Sequence, residues 1–242
     1  MIDVKRAALI TGASRGLGAE LASFLAEQGY DLLLTARRAK PLELKARSFQ
    51  EYGGRVIALA GDVADPEHAG RLLAAARSLG RLDLLVNNAS DLGSTPLPSL
   101  AEYPLDSIEH VLNVNLVAPL RLIQSMLPLL RENRGLIVNI SSDAALGGYP
   151  GWGIYGASKA ALDLLSLTLA EELRAVHVAV VSVDPGDMRT EMHQAAFPGE
   201  DISDRPLPEV TRPFWAWLLG QSPMSVTGRR YQAQADRWEV AA

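Results

Sequence analysis

The segment AALITGASRGLGAELASFLAEQG, Ala7 to Gly29, restricts the fold more than any other. AALIT is a short apolar run that reads as a buried strand. TGASRGLG is a glycine-rich turn. LGAELASFLAEQG then carries apolar residues at helical spacing up to a glycine stop at Gly29. A strand apolar along its length that runs into a helix belongs to a parallel sheet covered on both faces. The same pairing recurs. YDLLLTA, RVIALAGDV and LDLLVNNAS read as further strands, alternating with the helical patterns LELKARSFQEYG and EHAGRLLAAARSLG. A long helix is expected from about Ser107 to Leu130, with a kink or local break at Pro119. GLIVNISS reads as the fifth strand, Tyr155 to Ala175 as a helix and VHVAVVSVD as the sixth strand. PEVTRPFWAWLLG reads as a helix and GRRYQAQ as a shorter last strand. The expected fold is α/β, with a mostly parallel seven-stranded sheet flanked by helices.

No low-complexity linker divides the 242 residues, so the expectation is one domain, 1-242, for binding and catalysis together. The least patterned stretches are Asp91 to Pro104, Ala144 to Gly153 and Asp187 to Arg205. All three follow strand ends, where open α/β sheets bind their ligands.

The first turn is built for a phosphate. Gly12, Gly16 and Gly18 allow a tight turn and close backbone approach to a pyrophosphate, which the helix N-terminus favours. A glycine-rich turn without a ligand would show the same glycines, but the strand before and the helix after favour the nucleotide. No GK[ST] follows, so it is not a Walker loop. The second strand ends in TARR. A site for NAD usually offers an acid there to the ribose hydroxyls. This chain offers Ala36, then Arg37 and Arg38, with Arg15 in reach of the same region. Guanidiniums without an acid suit a 2'-phosphate, so NADP is expected over NAD. Asp62, at the end of the third strand, is placed to accept from the adenine amine. Asn88 and Ala89 are expected along the adenosine side. Ser14, Leu17 and Val63, beside these residues, complete that wall.

Composition narrows the partners. A formal charge of -5 argues against a nucleic-acid surface, although Arg37-Arg38 and Arg229-Arg230 could each hold one phosphate. There are no cysteines, which excludes disulfides, thiolate catalysis and thiolate metal sites. No metal site is expected. The N-terminus carries no signal-peptide pattern and no apolar run approaches a membrane span, so a cytoplasmic protein is expected.

The chemistry lies further on. Tyr155 and Lys159 stand four apart in YGASK and share one helical face. A lysine beside a phenol stabilises phenolate, so the tyrosine pKa is expected to fall, and a positively charged nicotinamide would act the same way. Such a phenol can pass a proton to or from a carbinol oxygen. Ser142, at the end of the fifth strand, can polarise the carbonyl. The competing reading is a tyrosine at a helix start and a lysine snorkelling to solvent.

The motifs TGASRGLG, NNAS, NVN, IVNISS, YGASK and PGDMRT occur in the order seen in short-chain dehydrogenases/reductases of the classical type, and the resemblance spans essentially the whole chain. It implies a Rossmann-type fold and hydride exchange between a nicotinamide cofactor and a carbonyl or alcohol. It implies that Tyr155 is the acid/base and that Lys159 also holds the nicotinamide ribose. The family's serine stands thirteen residues before the tyrosine, which selects Ser142 over Ser141. Asn115 in NVN matches the family asparagine that holds a water linking the lysine to solvent. Pro185, Gly186 and Thr190 match the segment that contacts the nicotinamide amide and nearby phosphate, with Met188 between them. One departure is Ser90, where the family usually has glycine; a slight change in packing is expected. Asp143 follows the serine and would meet charge at the mouth of the site.

Leu92, Leu146, Tyr149, Trp152, Met188 and Met192 are expected to rim a pocket for a largely apolar substrate, or else to pack the loop. Arg189 and His193 would meet an anionic group or lie on the surface. The resemblance also implies a homodimer or homotetramer built on the fourth and fifth helices. The QAQADRW ending, replacing the family's usual one, puts the tetramer contact in question. An NADP-binding regulatory or scaffold protein of the same fold, with little or no turnover, is the alternative to an enzyme.

Overall fold

The computed structural model describes residues 5–240. Its sheet has the order β3-β2-β1-β4-β5-β6-β7, and every pairing is parallel. The strands are β1 (Ala7–Thr11), β2 (Asp31–Ala36), β3 (Val56–Ala60), β4 (Leu84–Asn87), β5 (Leu136–Ile140), β6 (Ala179–Asp184) and β7 (Arg229–Gln232). The inner strands β1, β2, β4, β5 and β6 are buried along their whole length, and the edge strand β3 is half-buried. This is why they read as unbroken apolar runs.

Side chains alternate between the two faces. Ile10 packs in the cluster with Leu21 and Leu25 of helix α1 (Gly16–Glu27) and Leu42 of α2 (Ala39–Ser48). Its neighbour Leu9 packs in the opposite cluster. That cluster holds Leu72 of α3 (Pro66–Leu79) and Ile123 of α5 (Ala118–Asn133). Each such side chain contributes roughly 1.5–3 kcal/mol when fully buried. The chain leaves β3 at one edge and returns as β4 on the other side of β1. The strand order therefore reverses between β1 and β4, and the crevice opens above their C-terminal ends.

The break expected at Pro119 sits just ahead of it. Helix α4 (Ile108–Leu112) passes through a π turn, Asn113–Val117, and Pro119 lies in the first turn of α5. A proline ring clashes with the carbonyl four residues back, here that of Asn115. The wider π turn relieves that clash and sets Asn115 off the regular helical path.

Helix α6 (Gly153–Glu172) carries Tyr155 and Lys159. The stretch after β6 has a short helix of its own, α7 (Glu191–Ala196), capped by Thr190 Oγ1, which accepts from the His193 amide at 3.1 Å. Its single turn and a half is too short to leave a periodic signal. Helix α8 (Arg212–Leu219) completes the α1 side. Among the described residues no helix is long and apolar enough to cross a membrane.

Candidate active site

The glycine turn and the NNAS turn are stitched together. Thr11 Oγ1 accepts from the amides of Asn88 and Ala89, both at 2.9 Å. Asn88 Nδ2 donates to the Thr11 carbonyl at 2.8 Å. Gly12 has φ +67, and a Cβ there would lie 2.7 Å from Asn88 Nδ2. A Cβ on Gly18 would lie 2.5 Å from the Gly12 carbonyl oxygen. Gly18 therefore lets α1 pack against the turn and does not itself line the crevice.

A cavity of about 480 Å³ occupies the crevice. Gly12, Ser14, Arg15, Gly16 and Leu17 form one wall. Arg37, Asp62 and Val63 lie at one end, with Asn88 and Ala89 beside them. Tyr155 and Lys159 lie at the other end; Pro185 and Met188 also line the cavity, and Thr190 packs against Gly16 of the turn. Gly186 is not part of this lining. It has φ +73 and packs against Gln234.

The arginine end is electrostatically strained. Burial and the neighbouring Arg38 and Arg37 charges hold Arg15 below its usual pKa. Carboxylates answer this charge: Glu191 meets Arg15 and lies 3.7 Å from Arg38, and Asp91 lies 3.7 Å from Arg37. Sequence reading named Arg38 with Arg37 but missed Glu191; the acid directly after PGDMRT was the available signal. At the other end Ser141 Oγ is buried, has no hydrogen-bond partner and lines the cavity. A narrow glycine turn, clustered guanidiniums and an unpaired buried hydroxyl fit a phosphorylated dinucleotide.

Ser142, just after β5, donates from Oγ to Asp143 Oδ1 at 3.0 Å and accepts from the Ala144 amide at 3.1 Å. Its carbonyl accepts from Arg230 Nη2 at 2.8 Å. Arg230 also bonds Asp163 of α6 at 3.0 Å and Asp184 of β6 at 3.2 Å. It thereby ties the three elements around the site together. The expectation that Arg229-Arg230 could hold a phosphate fails for Arg230, because protein carboxylates already occupy it.

Lys159 does not snorkel. It is 2% exposed, and Nζ donates to the Ile140 carbonyl at 2.8 Å. Nζ lies 5.6 Å from the Tyr155 ring centroid. The expected fall in the tyrosine pKa is also corrected. Burial pushes the Tyr155 phenol up to about 12, while the Ser90 and Ser142 hydroxyls pull the other way. Burial brings Lys159 down to about 8, opposed by Asp163 one turn along. For Tyr155, desolvation outweighs the two hydroxyls.

This has a measurable consequence. The unfolded lysine pKa is about 10.4, above the folded value. The charged side chain therefore costs stability fully below pH ~8, and the cost fades as pH rises toward ~10.4. Lys159→Met should melt above the wild type near neutral pH. Calorimetry should show that gap shrinking between pH 8 and 10.

Asn115 is fully buried on the π turn. Trp152 stands edge-on to Tyr155 at 5.5 Å between centroids, and Phe197 lies 6.0 Å beyond it. Leu92, Met188 and Met192 line the cavity as expected. Leu146, Tyr149 and Trp152 do not: all three line a separate groove along the loop, although Trp152 also packs against Tyr155. His193 faces Asp187 at 3.7 Å, which leaves it no free approach to an anion.

A parallel sheet with its crevice at the order reversal, a phosphate turn, and a Ser-Tyr-Lys group at the far end define an NAD(P)-dependent oxidoreductase acting on CH-OH groups. The comparisons with known proteins agree. The family model for short chain dehydrogenase matches residues 6–201, and the chain belongs to that family. Serine 3-dehydrogenase of Rhizobium radiobacter is 36% identical over 185 residues, 76% of this chain and 72% of the relative. The rhamnolipids biosynthesis 3-oxoacyl-[acyl-carrier-protein] reductase of Pseudomonas aeruginosa is 37% identical over 195 residues, 77% of this chain and 74% of the relative. A short chain dehydrogenase from Shigella flexneri, solved in complex with NADP, superposes with a TM-score of 0.88 at 30% identity. That match covers 97% of this chain and all of the other.

Proposed function

We propose that the chain interconverts a ketone or aldehyde with its alcohol using NADP(H), with Tyr155 as acid/base. The observation that carries this is one cavity joining the Arg15, Arg37 and Arg38 cluster to the buried Tyr155 and Lys159. The NADP bound to the similar Shigella flexneri protein supports the same cofactor. NADPH, when bound, supplies the hydride. Gly12, Gly16 and the helix N-terminus would hold its pyrophosphate, and Arg15 and Arg37 its 2'-phosphate. Ser142 turns from Asp143 to donate to the carbonyl oxygen. Tyr155 gives that oxygen its proton in reduction and takes it back in oxidation. Lys159 favours the phenolate, and Asn115 fixes the turn behind it.

The phenol is protonated throughout the neutral range, which suits it as the acid of reduction. Leu92, Trp152, Met192 and Phe197 beside it favour an apolar substrate body. The test is NADPH oxidation across ketones, aldehydes and 3-ketoacyl thioesters. Turnover with at least one class is expected, and its absence from all classes would support the scaffold reading.

We also propose a homo-oligomer in the cytoplasm. Leu164 and Leu167, one turn apart on α6, are 66% and 48% exposed, more apolar surface than a lone subunit needs. Light scattering at micromolar concentration should give a multiple of the 26.0 kDa chain mass.

A further inference from the structure

The NNAS turn ends in Ser90, whose hydroxyl the reaction above leaves unused. Ser90 Oγ lies 3.2 Å from Asn115 Oδ1. The orientation of the Asn115 amide is fixed by its other bonds. Nδ2 donates to the Asp91 carbonyl and to Ser158 Oγ, both at 2.9 Å. Oδ1 accepts from the Asp91 amide at 2.8 Å. A carbonyl can only accept and an amide N–H only donate, so flipping Asn115 would break two bonds. Ser90 must therefore be the donor toward Asn115.

Ser90 and Tyr155 line the same cavity, and the Ser90 hydroxyl acts on the ionisation of the phenol. One proton thus has two receivers. While the phenol is intact, Ser90 donates to Asn115. Once Tyr155 has lost its proton, the phenolate is the stronger acceptor. Ser90 can then turn to it without stranding Asn115, because Oδ1 keeps the bond from the Asp91 amide.

We propose that Ser90 is a working part of the site: a hydroxyl rotor that swings from Asn115 to Tyr155 and stabilises the phenolate. This rests on Tyr155 being the proton donor. In that step the Tyr155 O–H bond breaks and its electron pair stays on the phenolate oxygen. The proton forms the new O–H bond of the alcohol, and solvent water later reprotonates the phenol. Ser90 keeps its own proton and only redirects it. Ser142 has its one proton on the substrate oxygen, so Ser90 supplies the phenolate with a hydroxyl donor of its own in a site where burial disfavours that charge.

The test reads the phenol itself, without cofactor or substrate. Protein carrying meta-fluorotyrosine, whose phenol ionises at lower pH, is titrated by fluorine NMR. The Tyr155 resonance is assigned from its loss in Tyr155→Phe. Ser90→Ala should raise the Tyr155 midpoint by about one pH unit, the worth of one hydrogen bond to a charged oxygen. Ser90→Thr, which keeps a hydroxyl, should bring it back toward the wild type. With an active substrate, Ser90→Ala should lower kcat about tenfold and leave the KM for NADPH unchanged. If Ser90→Ala does not fold, Ser90→Gly is read in its place. A midpoint unmoved by hydroxyl loss, or one that Ser90→Thr leaves as high as alanine does, overturns the proposal. A wild type without turnover would instead sink the functional reading and leave the NMR result standing.

Discussion

Tyr155→Phe should lower kcat for carbonyl reduction by about 10³-fold, within the usual range for a lost general acid. The change removes one oxygen and leaves the ring. The ring's edge-on contact with Trp152 remains, as does its place in the cluster with Leu92 and Ala196. The fold and melting temperature should hold or improve slightly, since a buried phenol gives way to a buried hydrocarbon. NADPH binding should be nearly unchanged, because the glycine turn and arginine cluster lie at the other end of the cavity. A titration of NADPH fluorescence beside the turnover assay separates the two effects. Turnover close to wild type would mean that another group gives the proton.

The second large effect concerns the choice of cofactor. Replacing Arg15 and Arg37 together with alanine should weaken NADPH binding by about 10²-fold and leave NADH nearly untouched. A charged hydrogen bond contributes roughly 1.5–3 kcal/mol, and exposure of these side chains places them at the low end. The two internal carboxylates sharpen the prediction. Glu191 and Asp91 compete with the 2'-phosphate for the same guanidiniums. Glu191→Gln should therefore tighten NADPH and not NADH. Parallel titrations with both nucleotides, at two salt concentrations, provide the check. Equal losses for NADPH and NADH in the double alanine variant would place the 2'-phosphate elsewhere.

What was legible in the sequence follows what is local. The strand-to-helix turn at Gly12 to Gly18 declares itself because its geometry is written in consecutive residues. The apolar strands declare themselves because both of their faces are covered. Tyr155 and Lys159 were placed correctly by helical spacing. Their environment was not, because periodicity does not register that Lys159 lies under the sheet edge at Ile140. Burial reversed the expected direction of the tyrosine shift for the same reason. Arg230 looked like half of a surface pair until β7 docked beside β6 and delivered it to Asp163 and Asp184. The π turn at Asn115 needed Pro119 and the neighbouring NNAS turn to be seen together. Leu146, Tyr149 and Trp152 line one groove along their loop, yet only Trp152 also reaches the Tyr155 ring. Only the path of Gly147 to Gly151 decides that.

The account stands or falls on hydride transfer to a carbonyl. Its most direct test follows deuterium from NADPH, labelled at the transferable position, into the product of the best carbonyl in the panel. The prediction is one deuterium on the carbinol carbon for each NADPH consumed. NADPH consumed without labelled alcohol, or no consumption with any carbonyl, would contradict it.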